Sequence, residues 1–219
     1  MERSFQIQLD DIRRLLLSMG GLVERALELV TTGLIEQDLQ KFAAVFSIEE
    51  QINRSHLQLD EACTNYLAVQ GPVAGDLRMV VSAIKINVDL ERMGDQCINM
   101  AHTGRDFVRR TTHLSVDEIR VMSRVAREMV KEALDSFVRR DMGLAQKILV
   151  TDDELDVRKQ NIFESMVGQI KLNAADVEAG LDLILIARNL ERIGDHATNI
   201  AEDVIYFSTG KDIRHGKYA

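Results

Sequence analysis

The stretch Asp89-Leu90-Glu91-Arg92-Met93-Gly94-Asp95-Gln96-Cys97-Ile98-Asn99-Met100-Ala101 recurs 100 residues later. There it reads Asn189-Leu190-Glu191-Arg192-Ile193-Gly194-Asp195-His196-Ala197-Thr198-Asn199-Ile200-Ala201. Seven of the 13 positions are identical, where ordinary residue frequencies give about one by chance. The offset of 100 holds back to Asp76 and Asp176. Further upstream it becomes 103, pairing residues 49–53 with 152–156, and then 107, pairing 23–27 with 130–134. The three extra residues fall in Gln70-Gly71-Pro72-Val73-Ala74-Gly75, a loop by composition. The four-residue change lies within 29–37 and equals about one helical turn. The chain is a tandem duplication, divided as residues 1–112 and 113–219.

Each unit reads as three helices. Ile12, Leu15, Leu16, Met19, Val23, Ala26, Leu27 and Val30 fall at three- and four-residue spacings. A second helix carries Leu39, Phe42, Phe46, Ile52, Leu59, Cys63, Tyr66 and Leu67, and stops at Gly71-Pro72. Asp76 reads as the N-cap of the third, with Leu77, Val80, Ile84, Leu90, Cys97 and Ala101 behind it. The second unit repeats the pattern near 116–139, 141–172 and 177–208. Nothing alternates with period two over a useful length. The predicted fold is all-α, two antiparallel three-helix bundles stacked end to end or side by side.

Composition narrows the function classes. One proline in 219 residues argues against a turn-rich β architecture. The longest apolar run, 183–187, is far short of the roughly 20 residues that span a bilayer. The polar opening Met1-Glu2-Arg3-Ser4-Phe5 lacks the apolar stretch of a signal peptide. Cys63 and Cys97 stand in apolar surroundings with no Cys-x-x-Cys pair, as reduced thiols of a cytosolic protein do. The net charge is −8, shared equally by the two halves, so nucleic acid and anionic lipid are disfavoured as direct partners.

The chemical signal is a set of paired carboxylates. Glu91 and Asp95 are four residues apart and project from one flank of their helix, as do Glu191 and Asp195. In the first of these helices the flanking positions Asn87, Val88, Ile98 and Asn99 carry no Lys or Arg, so a group outside the helix is needed to offset the charge. Asp152 and Asp156 form a third pair on the neighbouring helix, whereas the first unit has Glu49 and Asn53 there. Four carboxylates from two adjacent helices can converge on one cation. The second unit, with Asp152, Asp156, Glu191 and Asp195, is therefore the stronger candidate. The alternative is ordinary ion pairing with basic residues of neighbouring helices. His102, one further turn-pair beyond Asp95, is a candidate additional ligand, while His196 is expected to be solvated. Gly94 and Gly194 sit inside helices at a cost of about 1 kcal/mol each, which close helix approach would explain. No Glu-x-x-His, His-Glu-x-x-His, nucleophile elbow or phosphate-cradling glycine loop is present. No organic cofactor is expected, and catalysis is not.

The duplicated Leu-Glu-Arg-(Met/Ile)-Gly-Asp segments, the helix start Asp76-Leu77-Arg78 and the ending from Glu202 through His215 resemble the PhoU family along essentially the whole chain. That family comprises phosphate-signalling accessory proteins of bacteria and archaea. The resemblance implies two three-helix bundles related by a pseudo-twofold, in a cytoplasmic protein recruited peripherally to the inner face of the membrane. It implies a repressor of the phosphate-starvation response, linking the ATPase of the phosphate ABC transporter to a sensor histidine kinase. It also implies iron, zinc, magnesium or manganese ions on Glu/Asp-x-x-x-Asp pairs. Glu91-Asp95, Asp152-Asp156 and Glu191-Asp195 match that pattern, and Glu49-Asn53 departs from it. Asp76 and Arg78 are candidate partner-binding residues, and a homodimer is the expected assembly. A metal-dependent enzyme or cation store using the same acids is the competing class.

Overall fold

The structure, a computed structural model, describes residues 2–110 and 113–214, with side chains from Gln6 onward. Met1, the unit boundary at Thr112 and the family-like His215 lie outside the described residues. The order is α1 (Glu2–Glu36), α2 (Leu39–Gln70), α3 (Ala74–Arg109), α4 (Asp117–Arg139), α5 (Met142–Leu172) and α6 (Val177–Thr209). No strand occurs among the described residues.

The connections repeat as the sequence does. Gln37 takes the left-handed conformation after α1, and Arg140, its counterpart at offset 103, does so after α4. An Asp follows each and caps the next helix. Asp38 accepts from the Gln40 amide at 2.9 Å, and Asp141 from the Leu144 amide at 3.0 Å. Gly71, left-handed at φ 52°, ends α2. In the second unit, Asn173 and a single 3-10 turn at Ala174–Asp176 serve that purpose. Connections this short force antiparallel neighbours.

Helix α3 begins at Ala74, with extended Val73 before it, so Asp76 lies in the first turn and is not the cap. An acid there still complements the exposed amides of the helix start, which is why the two positions look alike in sequence.

The units lie side by side. Helices α3 and α6 share the most extensive packing between them, α1 touches α4, and α2 and α5 are outermost. One continuous apolar core runs through both units. The repeated glycines are where the outer helices press in. A Cβ on Gly94 would meet the Ile52 side chain at 3.1 Å. One on Gly194 would meet Leu155 Cδ1 at 2.5 Å and Asp152 Oδ1 at 3.1 Å. Ile52 and Leu155 are themselves equivalent at offset 103, so the same knob enters the same notch in each unit.

Candidate functional site

Close approach of α5 to α6 at Gly194 draws Asp152, Asp156, Glu191 and Asp195 together on the outer flank of the second unit. Lys159, one turn beyond Asp156, reaches back and across. Its Nζ donates to Asp156 Oδ1 and to Glu191 Oε1, both at 2.7 Å. These two hydrogen bonds hold the ammonium well above its ordinary pKa. Lys159 is thus the external cation that Glu191 requires, and the ion-pair alternative holds for Asp156 and Glu191. The lysine could have been found from sequence by applying the three-residue spacing rule to α5 as well as to α3 and α6.

Asp152 stays outside that arrangement. Its Oδ1 is buried without a hydrogen-bond partner. Burial first, then the charges of Asp195, Asp156 and Glu191, push its pKa up to about 6. Burial and Glu191 raise Asp195 as well. An acid raised in the folded state disfavours folding when ionised. The penalty is present at neutral pH and vanishes as pH falls through about 6 toward the unfolded value. Asp152→Asn should therefore stabilise the protein at neutral pH by about 1 kcal/mol, allowing for water screening at this partly exposed group. Urea unfolding against pH checks it. A gain that stays constant down to about pH 4 would show that the charge is not the cause.

The first unit is assembled differently. Asn53 Nδ2 donates to Glu49 Oε1 at 2.5 Å, so the two satisfy each other. Glu91 is half-buried and Asp95 exposed. The position equivalent to Lys159 is His56, whose Nδ1 lies 3.5 Å from the Asn87 carbonyl, so no lysine bridges the helices there. His102 is exposed, edge-on to Phe46 at 4.9 Å between ring centres, with Arg105 alongside. These are its contacts, and none to Asp95 is seen among the described residues. Among the described residues, no group of three or more His, Cys, Asp or Glu side chains is placed to hold a metal ion.

Arg78, a candidate for partner binding, ties the units together. Its Nε donates to the Phe207 carbonyl at 3.3 Å. Asp76 is half-buried beside it in the first turn of α3.

His196 corrects the expectation of a solvated ring. Its Nδ1 donates to Asp89 Oδ1 at 2.8 Å, and Asn199 Nδ2 donates to the same oxygen at 3.2 Å. Asp89 belongs to the other unit, so no spacing within one helix could have signalled the pair. Lys85 and Asp203 bridge the same junction at 2.9 Å, and Arg110 binds Asp182 at 2.9 Å and Glu178.

Comparison with known proteins gives a consistent result. The PhoU domain family matches residues 16–103 and again 119–204. The phosphate-specific transport system accessory protein PhoU homolog of Pseudomonas putida is 36% identical over 98% of this chain and 84% of its own length. The corresponding PhoU protein of Serratia marcescens is 31% identical over 96% of this chain and 87% of its own. The crystal structure of PhoU from Pseudomonas aeruginosa superposes with a TM-score of 0.91 at 36% identity, covering 94% of this chain and all of that one.

Proposed function

The chain belongs to the PhoU family, and on that premise we propose that it is a non-catalytic negative regulator of the phosphate-starvation response and of phosphate uptake. It acts as an adaptor between the ATPase of the phosphate ABC transporter and a sensor histidine kinase. The observation that carries this reading is the match of both units, and of nearly the whole chain, to proteins named as accessories of phosphate-specific transport. The net charge of −8 supports docking onto basic surfaces of protein partners rather than onto anionic lipid. No described helix is long and apolar enough to cross a membrane. Recruitment from the cytoplasm to the inner membrane face would accordingly run through those partners.

A second reading keeps a divalent, iron or zinc ion on the second unit. The unpartnered Asp152 Oδ1 favours it. Asp152, Asp156, Glu191 and Asp195 would have to turn toward one another to supply the oxygens, since no three of them are placed to hold an ion as they stand, and Lys159 would have to leave Asp156 and Glu191. The ion would supply positive charge for bridging to an acidic group of a partner.

Affinity capture from solubilised membranes of phosphate-replete cells should recover the transporter ATPase and a histidine kinase. Deleting the gene should raise alkaline phosphatase and phosphate uptake severalfold in phosphate-rich medium. Recovery of neither partner together with unchanged uptake would overturn the adaptor reading.

A further inference from the structure

Of the seven positions identical between the repeated segments, five have roles above, as core, helix notch or acid pair. Asn199 is a sixth, since it binds Asp89. The arginines Arg92 and Arg192 have none. Both are exposed, and neither joins an ion pair among the described residues. They nevertheless line one groove of about 570 Å³ at the α3–α6 junction, with Gln96, Asp195, His196, Thr198 and Asn199. Gln96 and His196 are themselves equivalent positions of the two repeats. Side-by-side packing thus brings each unit's arginine to one mouth.

The walls of the groove offer donors and acceptors in a particular mixture. Two guanidiniums and one carboxylate, Asp195, line it, while the nearby Asp89 carboxylate is already taken up by His196 and Asn199. Guanidinium forks match the oxygen geometry of carboxylates and phosphates. His196 commits Nδ1 to Asp89, which leaves Nε2 as its remaining polar atom. Gln96 is only 9% exposed, and its Oε1 is buried with no partner. A buried acceptor left unpaired costs about 1–3 kcal/mol, so this oxygen calls for a donor that the protein itself does not supply.

We propose that the groove between Arg92 and Arg192 binds inorganic hydrogen phosphate. The arginines hold its anionic oxygens, and its P–OH donates to Gln96 Oε1 or to the Asp195 carboxylate. A tetrahedral anion without a proton would meet those two acceptors with nothing to give them. Sulfate is such an anion. So is a phosphomonoester once its second proton, with a pKa of about 6, is lost. The site therefore selects the free ion over a phosphorylated molecule or a lipid headgroup sharing the phosphoryl chemistry. It is independent of the adaptor reading, because transporter capture and phosphate binding are measured separately and either can fail alone.

The test is calorimetric titration of the full chain at about pH 8 with inorganic phosphate, sulfate and glycerol phosphate. Phosphate should bind, with the other two weaker by about tenfold or more, the scale of one charge-assisted hydrogen bond. Arg92→Gln and Arg192→Gln should each weaken phosphate by a similar factor while leaving the unfolding midpoint in place, because both side chains are exposed. Gln96→Leu should narrow the preference for phosphate over sulfate. No phosphate binding in the wild type, equal affinity for sulfate, a glycerol phosphate preference or arginine variants that bind as well as the parent would each overturn the assignment.

Discussion

Replacing Lys85 with Met is expected to cost about 3 kcal/mol of stability at neutral pH, with the loss shrinking in acid. Asp203, on α6, is 3% exposed and would keep its charge without its lysine. Burial drives the Asp203 carboxyl above its ordinary pKa, and Lys85 opposes that first through the 2.9 Å hydrogen bond and then through its charge. Arg214 helps from further away, and Asp89 works against it. Without Lys85 the carboxyl rises further, which fixes the sign. A raised acid penalises the folded state above its folded pKa, and the penalty fades as pH falls toward the unfolded value. Urea midpoints of parent and variant should converge between about pH 7 and pH 4. Adding Asp203→Asn to Lys85→Met should restore most of the loss at neutral pH by removing the stranded charge. A deficit independent of pH, and untouched by the second substitution, would mean that Lys85 acts through its ammonium over the Tyr206 ring, 5.2 Å from the ring centre, rather than through Asp203.

That junction also marks where sequence reading stops being sufficient. Helices were legible because each must bury a stripe at three- and four-residue spacing, and the duplication because Leu-Glu-Arg-x-Gly-Asp recurs intact. Within one helix the carboxylate pairs could be placed on a flank, and the glycines read as points of close approach. What periodicity cannot carry is the relation between helices. Lys159 sits one turn from Asp156, yet its reach to Glu191 depends on the α5–α6 register, which Leu155 sets by entering the notch at Gly194. His196 looked solvated because its partner, Asp89, belongs to the other unit. Arg92 and Arg192 were visible as repeated residues, but their meeting in one groove required the units to lie side by side, one of two arrangements the helices alone allowed. The Asp76 start was misread for a local reason, since an acid in the first turn serves the helix dipole nearly as a capping acid would.

The notch at Gly194 gives a result in which one substitution changes sign with its background. Leu155→Ala should destabilise the protein by about 3 kcal/mol, because a fully buried side chain is removed and the helices close only partly over the void. Gly194→Ala alone sets two effects against each other. Alanine gains about 1 kcal/mol over glycine in a helix interior. Its Cβ, however, would lie 2.5 Å from Leu155 Cδ1 and 3.1 Å from Asp152 Oδ1, and overpacking of this kind costs about 1–3 kcal/mol. The net should be a modest loss. Once Leu155 is shortened, the same Cβ enters vacated space and the helical gain is realised. Leu155→Ala/Gly194→Ala should therefore be more stable than Leu155→Ala by about 1 kcal/mol. Asp152 reports the same event electrostatically. Burial is the foremost cause of its pKa near 6, so water admitted by Leu155→Ala should lower it toward the ordinary carboxylate value, as an NMR titration would read. Filling the void with Gly194→Ala should raise it again. If the two substitutions simply add, with Gly194→Ala harmful in both backgrounds, the notch does not set the α5–α6 spacing and the environment of Asp152 must be held from elsewhere.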